Sequence, residues 1–304
     1  MTEVVYKLLT EVVGMPSVAM DEPMSRHTSF KIGGPADILV EPSDTQRLAA
    51  VLKIIKRFEL PYFVMGNGSN LLVGDKGIRG AVIKLSDSMS DCDVEGTKIT
   101  AMSGIKLSRL ANTAMKNGLS GLEFASGIPG TLGGAVFMNA GAYGGEMKDV
   151  VRAVTYVDTD ECRVHTIPAQ ECDFGYRHSV FADGGRIVTE AELELSTDDM
   201  SEIRGRMNEL AARRAEKQPL DKPSAGSTFK RPEGYFAGTL IQEAGLKGCR
   251  IGGAEVSEKH SGFIINAGGA AAADVLALID HVRETVMKKF GVSLEPEVRL
   301  VGEF

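Results

Sequence analysis

Apolar pairs recur every four positions at the start of the chain, at Val4/Val5, Leu8/Leu9 and Val12/Val13, with Glu3, Lys7 and Glu11 between them. That period predicts an amphipathic helix over residues 1–14 and argues against a secretory leader. Residues 26–37 read as an irregular lead-in with a glycine turn at Gly33-Gly34, feeding a short strand over 38–40. Ser43 or Asp44 can cap a helix whose Leu48, Val51, Leu52, Ile55 and Phe58 share one face. Residues 60–65 then read as a buried strand, completing a β-α-β unit.

A strand over 80–85 follows, then a hairpin that turns at 93–97 into 98–102. Leu107, Leu110, Ala111 and Ala114 mark one face of a helix that Gly118 ends. Segments 150–157, 162–167 and 186–195 are rich in β-branched residues and predict strands. Residues 200–217 are helical, with Ile203, Met207, Leu210 and Ala211 inward, and the proline-rich stretch 218–223 breaks that helix as a domain junction would. Beyond it, helices are expected over 238–244 and 271–290, the latter ended by Gly291, with short strands over 262–265 and 297–301.

Glycine changes this picture from a generic mixed fold to one with a ligand. The twenty residues from Ser126 hold seven glycines, where average usage predicts one or two. A stretch so poor in side chains presents backbone, and exposed amides can cradle anionic oxygen. A phosphate-bearing cofactor suits it, and a tightly packed surface turn is the plainer alternative. A second cluster, Gly66-Asn-Gly-Ser-Asn-Leu71, follows the strand over 60–65. It is not a dinucleotide fingerprint, because Leu71 stands where the third glycine belongs, and it lacks the Gly-Lys-Ser/Thr of a Walker loop. Two such loops favour a dinucleotide-type cofactor over a plain turn.

The 304 residues suggest about two domains. A net charge of −7 argues against nucleic acid or an anionic membrane as the general partner, so an anionic ligand must be met by specific Lys and Arg. Cys92, Cys162, Cys172 and Cys249 are scattered and the five histidines form no ligand motif, so reduced thiols and no structural metal are expected. No apolar run reaches the length of a membrane span. The composition reads as that of a cytoplasmic protein, with a monomer or weak oligomer expected.

Three residues could carry chemistry. Ser227 follows small residues in Pro223-Ser-Ala-Gly-Ser227, outside any Gly-x-Ser-x-Gly elbow, and is either a turn serine or a proton donor. Glu297 shares a strand face with Arg299 and Val301; it is either paired with Arg299 or an acid of raised pKa. Arg177, in Tyr176-Arg177-His178-Ser179, is a loop cation whose default role is a surface ion pair.

Six motifs in order, His27–Pro35, Gly66–Leu72, Ser126–Gly134, Phe174–Ser179, Pro223–Ser227 and Leu294–Arg299, closely resemble those of the UDP-N-acetylenolpyruvoylglucosamine reductase family. The uninterrupted run from Arg177 to Arg186 resembles the shorter family type, which lacks a tyrosine-bearing substrate loop. The resemblance implies an α+β flavoprotein of bacterial cell-wall synthesis. An FAD-binding region over 1–200, of two α/β subdomains (1–85 and 86–200) like those of the vanillyl-alcohol-oxidase/PCMH flavoproteins, would precede a connecting helix over 201–217. A smaller α/β substrate-binding domain would fill 218–304.

The resemblance further implies non-covalent FAD, NADPH as reductant and UDP-N-acetylglucosamine enolpyruvate as substrate. Carried over, the FAD-binding residues are Gly66, Asn67, Gly68, Ser69, Asn70, Leu71, Ser126, Gly127, Ile128, Pro129, Gly130, Thr131, Gly133, Gly134, Asn139, Ala140 and Gly141. Arg177 and Glu297 would stabilise the charge formed on the enolpyruvyl group, and Ser227 would protonate C2. Tyr176, Arg213, Lys217, Lys230 and Lys247 are candidates for the sugar nucleotide. An FAD-dependent oxidase of hydroxyl substrates and a non-catalytic nucleotide-binding module are the competing readings.

Overall fold

The computed structural model describes residues 2–304; Met1, which opens the first expected helix, lies outside them. The chain forms two compact units. The first comprises residues 1–20, 38–67 and 80–214, and the second residues 21–37, 68–79 and 215–304. This differs from a division at residue 218 alone. Segments 21–37 and 68–79 belong with the C-terminal third because strand Leu71–Val73 pairs in parallel with the C-terminal strand Arg299–Val301.

In the first unit, helices Thr2–Val13 and Thr45–Arg57 carry the expected apolar faces, and Asp44 caps the second by accepting the Arg47 amide at 2.7 Å. They cover a four-stranded sheet in the order Val18–Pro23, Pro35–Val40, Ile78–Lys84, Tyr62–Met65, over a core that includes Leu9, Ile38, Leu48 and Ile83. The strand expected over 60–65 is shorter and far less buried, with Tyr62 exposed and Met65 alone buried, because it lies at the sheet edge. The edge strand Val18–Pro23 was not expected: only Val18 is buried, so no period shows in its sequence.

A second sheet is antiparallel, in the order Arg163–Pro168, Val151–Asp158, Arg186–Glu194, Lys98–Met102, Cys92–Glu95. Helix Leu107–Lys116 lays Leu107, Leu110, Ala111 and Ala114 into the core beside it, and Gly118 follows at φ +65°. Helix Met200–Lys217 matches its expected bounds, yet only Ile203 and Met207 are buried. Leu210 is half-buried and Ala211 exposed, because the helix packs through its first half.

The second unit has its own core, built from helices Ala237–Glu243 and Ala272–Phe290 and the antiparallel strands Arg250–Ile251, Ala254–Val256 and Ile264–Asn266. Val275, Leu278, Val282 and Val286 form the buried stripe of the long helix, and Gly291 ends it in the left-handed conformation at φ +68°. Asp75 reaches its N-terminus from 197 residues away, accepting the amides of Ala272 at 2.8 Å and Ala273 at 3.1 Å. Amides in a first helical turn have no intrahelical acceptor, and a carboxylate there also complements the helix dipole. Replacing Asp75 by Ala is expected to lower unfolding free energy by about 1–2 kcal/mol; a denaturant midpoint equal to that of the unmodified protein would show the cap to be idle.

Candidate active site

Glycines 127, 130, 133, 134 and 141 are absent from the positive-φ region; of the glycines in this stretch only Gly144 (+92°) is there, beside the non-glycine residues Asn139 (+44°) and Tyr143 (+53°). What the chain needs from most of them is closeness. A Cβ on Gly133 would lie 2.7 Å from Ser103 Cβ, one on Gly145 2.7 Å from the Phe124 ring, and one on Gly66 2.2 Å from Thr131 Oγ1. Residues expected to be loop therefore form a helix, Leu132–Phe137, whose bare face sits down on Ser103. Pattern reading misses it because Gly-Gly scores against a helix interior.

Gly66 and Asn67 meet this helix within the first unit, where Asn67 Nδ2 donates to the Pro129 carbonyl at 3.1 Å. Asn67, Gly127, Pro129 and Gly134 are exposed. The Gly134 amide lies in the first helical turn, and the Thr131 side chain does not cap it. A surface of exposed main chain with an available donor fits a flavin dinucleotide, which needs close approach and amides for its oxygens. Ser126 Oγ is turned inward to the Glu123 carbonyl at 2.8 Å, Ile128 is half-buried, and the Gly130 carbonyl accepts the Leu107 amide at 3.0 Å.

Arg214 was not singled out by its sequence. Its Cδ lies 3.2 Å from where a Gly127 Cβ would be, and burial pulls the guanidinium below the usual arginine range, partly offset by Tyr143. A cation beside the exposed glycine loop suits an anionic cofactor. Its neighbour Arg213, the expected candidate, is exposed and paired with Glu209 four residues away, so its charge is already met.

Asn139 is buried and its amide is used inside the protein, donating to Glu146 Oε2 and to the Gly175 carbonyl, each at 2.9 Å, and accepting the Lys148 amide at 3.0 Å. Any contact of Asn139 or buried Ala140 with a cofactor falls to the main chain. This bracket presents Arg177: residues 175–178 form a tight turn, Ser179 Oγ ties its exit to the Phe137 carbonyl at 2.7 Å, and Arg177 stands at its tip with φ +55°. Its guanidinium lies 5.3 Å from the centre of the exposed Tyr176 ring and donates to the Gly141 carbonyl at 3.4 Å. A left-handed non-glycine residue costs about 1–2 kcal/mol, which the surrounding hydrogen bonds offset.

The second unit assembles the other expected residues. Segment 223–230 runs between two neighbours: Asn266 donates to the Pro223 carbonyl at 2.9 Å, and Lys230 donates to the Glu295 carbonyl at 2.8 Å. Thr228, 1% exposed, joins them. Its amide donates to the Gly262 carbonyl at 2.8 Å, its hydroxyl accepts the Ile264 amide at 3.0 Å, and its carbonyl accepts the Glu297 amide at 2.8 Å. Ser227, exposed, and Glu297, half-buried, are thereby held from one peptide neighbourhood. Glu297 precedes strand Arg299–Val301, so the expected strand starts two residues late.

Asn70 joins this group, its Nδ2 donating to the Glu297 carbonyl at 3.1 Å while its own carbonyl accepts the Arg299 amide at 3.0 Å. The loop expected to act as one cofactor element is thus divided: Gly66 and Asn67 cluster with the first unit, Gly68, Ser69, Asn70 and Leu71 with the second. Leu71 opens a strand and is 7% exposed. Ser29 braces the same place, donating to the Ser224 carbonyl at 2.6 Å and, from its amide, to the Gly68 carbonyl at 3.2 Å. Lys230 is ion-paired with Glu295, whereas Lys217 and Lys247 are exposed.

Residues 218–301 match the family described as UDP-N-acetylenolpyruvoylglucosamine reductase, C-terminal domain, and residues 36–167 match the FAD binding domain. The UDP-N-acetylenolpyruvoylglucosamine reductase of Caldanaerobacter subterraneus subsp. tengcongensis is 53% identical over 303 residues, covering 100% of both chains. The chain belongs to the UDP-N-acetylenolpyruvoylglucosamine reductase family. This reductase is an FAD-containing oxidoreductase. The crystal structure of the Thermus caldophilus enzyme of that name superposes with a TM-score of 0.80 at 38% identity, covering 93% of this chain and 98% of the other. An alkyldihydroxyacetonephosphate synthase structure shares the fold alone, with a TM-score of 0.50 at 16% identity over 64% of this chain and 40% of the other. Among the described residues no helix is long and apolar enough to cross a membrane.

Gly66→Ala is expected to strip FAD from the purified protein, because the new methyl strikes Thr131 Oγ1. The flavin-to-protein absorbance ratio reads the loss. Adding Thr131→Ala should restore part of it, and an unchanged ratio in the single variant would refute the close approach.

Proposed function

We propose that this reductase converts UDP-N-acetylglucosamine enolpyruvate to UDP-N-acetylmuramate, a precursor of peptidoglycan, in the cytoplasm, with NADPH as reductant. The relatives' name and the FAD-binding match support the reaction class, and the Thr228 peptide that holds Ser227 beside Glu297 is the observation that carries the residue roles. Bound FAD would supply the hydride chemistry, relaying a hydride from NADPH to C3 of the enolpyruvyl group.

Addition at C3 pushes charge onto C2 and into the adjacent carboxylate. Arg177 meets that charge with a guanidinium fixed at the tip of its turn, and Glu297 does so by hydrogen bonding. Ser227 delivers a proton to C2. A hydroxyl is a weak acid in water, but its target is a strongly basic carbon, so position outweighs pKa. Tyr176 offers an exposed ring to the nucleotide; Lys217 and Lys247 serve the diphosphate, with Arg213 and Lys230 in reserve because each must first leave a carboxylate. Gly66, Asn67 and the 126–141 stretch hold FAD through main chain, with Arg214 as an added cation, and residues 218–304 supply the substrate-binding domain.

Under anaerobic conditions Ser227→Ala is expected to bleach with NADPH at the unmodified rate, and to regain flavin colour with the enolpyruvyl sugar nucleotide about 10²- to 10⁴-fold more slowly. Equal slowing of both steps would remove Ser227 from the proton-donor role. Glu297→Gln should be milder, since an amide still donates; full turnover in that variant would take the carboxyl out of the mechanism.

A further inference from the structure

Gly262 is the acceptor that places the Ser227 segment, and a half-buried histidine holds it in turn. The turn around it is closely tied: the Ser257 amide donates to the Phe263 carbonyl at 2.9 Å, the Phe263 amide to the His260 carbonyl at 2.9 Å, and Ser257 Oγ accepts the amides of Lys259 at 3.2 Å and His260 at 3.3 Å. The imidazole is fixed edge-on to Phe263, with ring centres 5.0 Å apart. Its other neighbour is the first turn of helix Ala237–Glu243, where a Cβ on Gly238 would lie 3.4 Å from His260 Cε1. From that seat Nδ1 accepts the Gly262 amide at 3.1 Å.

Gly262 therefore has its amide on His260 and its carbonyl on the amide of Thr228 at 2.8 Å. Glycine has the widest backbone freedom of any residue, so its orientation comes from such tethers. A side chain there would not serve, since a Cβ on Gly262 would stand 3.0 Å from His260 Cε1. We propose that His260 is a positioning residue for the proton donor, acting on Ser227 through Gly262 and Thr228. This rests on Ser227 protonating the substrate, as argued above.

The tether requires Nδ1 unprotonated, hence a neutral ring with its hydrogen on Nε2. Burial lowers the imidazole pKa, against a backbone hydrogen bond that raises it, and the nearby Lys247 charge lowers it further, so the accepting form prevails at neutral pH. Asn can place its Oδ1 where Nδ1 stands, each being bonded directly to Cγ; Ala cannot. No contact of His260 with flavin or substrate is needed.

The test compares His260→Ala, His260→Asn and Ser227→Ala in the two anaerobic half-reactions, alongside the thermal midpoint of each holoenzyme. His260→Ala is expected to bleach normally with NADPH and to regain colour with the enolpyruvyl sugar nucleotide about 10- to 100-fold more slowly, the scale of a small misplacement of a reacting group. His260→Asn should return to within a few-fold of the unmodified rate. Reoxidation of His260→Ala at the unmodified rate, equal slowing of both half-reactions, or Asn behaving like Ala would each overturn the proposal. Should the alanine variant not fold, His260→Leu, which fills the space without an acceptor for Gly262, takes its place with the same outcomes. If Ser227→Ala itself reoxidises at the unmodified rate, the proton-donor reading fails and this proposal with it; if Ser227→Ala is slow and His260→Ala is not, only the positioning role is lost.

Discussion

The chemistry proposed for this reductase hangs on the hydrogen bonds of one buried residue. Thr228 engages its amide, hydroxyl and carbonyl at 2.8, 3.0 and 2.8 Å, so neither neighbouring segment can shift without breaking a buried bond. An unmet buried donor or acceptor costs about 1–3 kcal/mol. Ser227 is consequently presented by a closely tied segment even though it is itself exposed. Glu297 is hung from the same residue, and Asn70 fastens the far side of that carboxyl-bearing segment. The proposed proton donor and the group proposed to meet developing charge are thus placed by main chain before any ligand arrives.

The first unit works by a complementary device, the removal of side chains. Gly66 against Thr131 and Gly133 against Ser103 leave no room for a methyl. Such spacing brings backbone to the surface at Gly127 and Gly134, where a flavin can be approached at contact distance. Where a side chain is needed, its conformation is imposed: Arg177 is held in the left-handed region by a turn pinned at Gly175 and Ser179. Tyr143 shows the same strain at φ +53°, in the two-residue turn it shares with Gly144. Both sites store strain that rigid surroundings maintain.

Periodic elements were legible from residues alone. The faces set by Leu48, Val51, Leu52 and Ile55, and by Val275, Leu278, Val282 and Val286, are buried as their spacing requires. The family was legible through the ordered motifs. What escaped was non-local. Strand Leu71–Val73 is three residues long and exists because Arg299–Val301 lies beside it. The cap that Asp75 gives to a helix 197 residues away leaves no local signature. Arg214 and Arg213 are indistinguishable in sequence, and only helix phase turns one toward Gly127 and the other toward Glu209. Glycine spacing marked the stretch proposed to hold the cofactor but not why its glycines are there, which is closeness of packing more than positive φ.

A crystal structure of the protein with FAD and the enolpyruvyl sugar nucleotide tests the account most directly, through the distance from Ser227 Oγ to C2 of the enolpyruvyl group. The account requires about 3–3.5 Å, the separation of reacting atoms, with the Glu297 carboxyl against the carboxylate of that same group. A substrate seated with C2 beyond reach of Ser227, and another donor beside it, would contradict it.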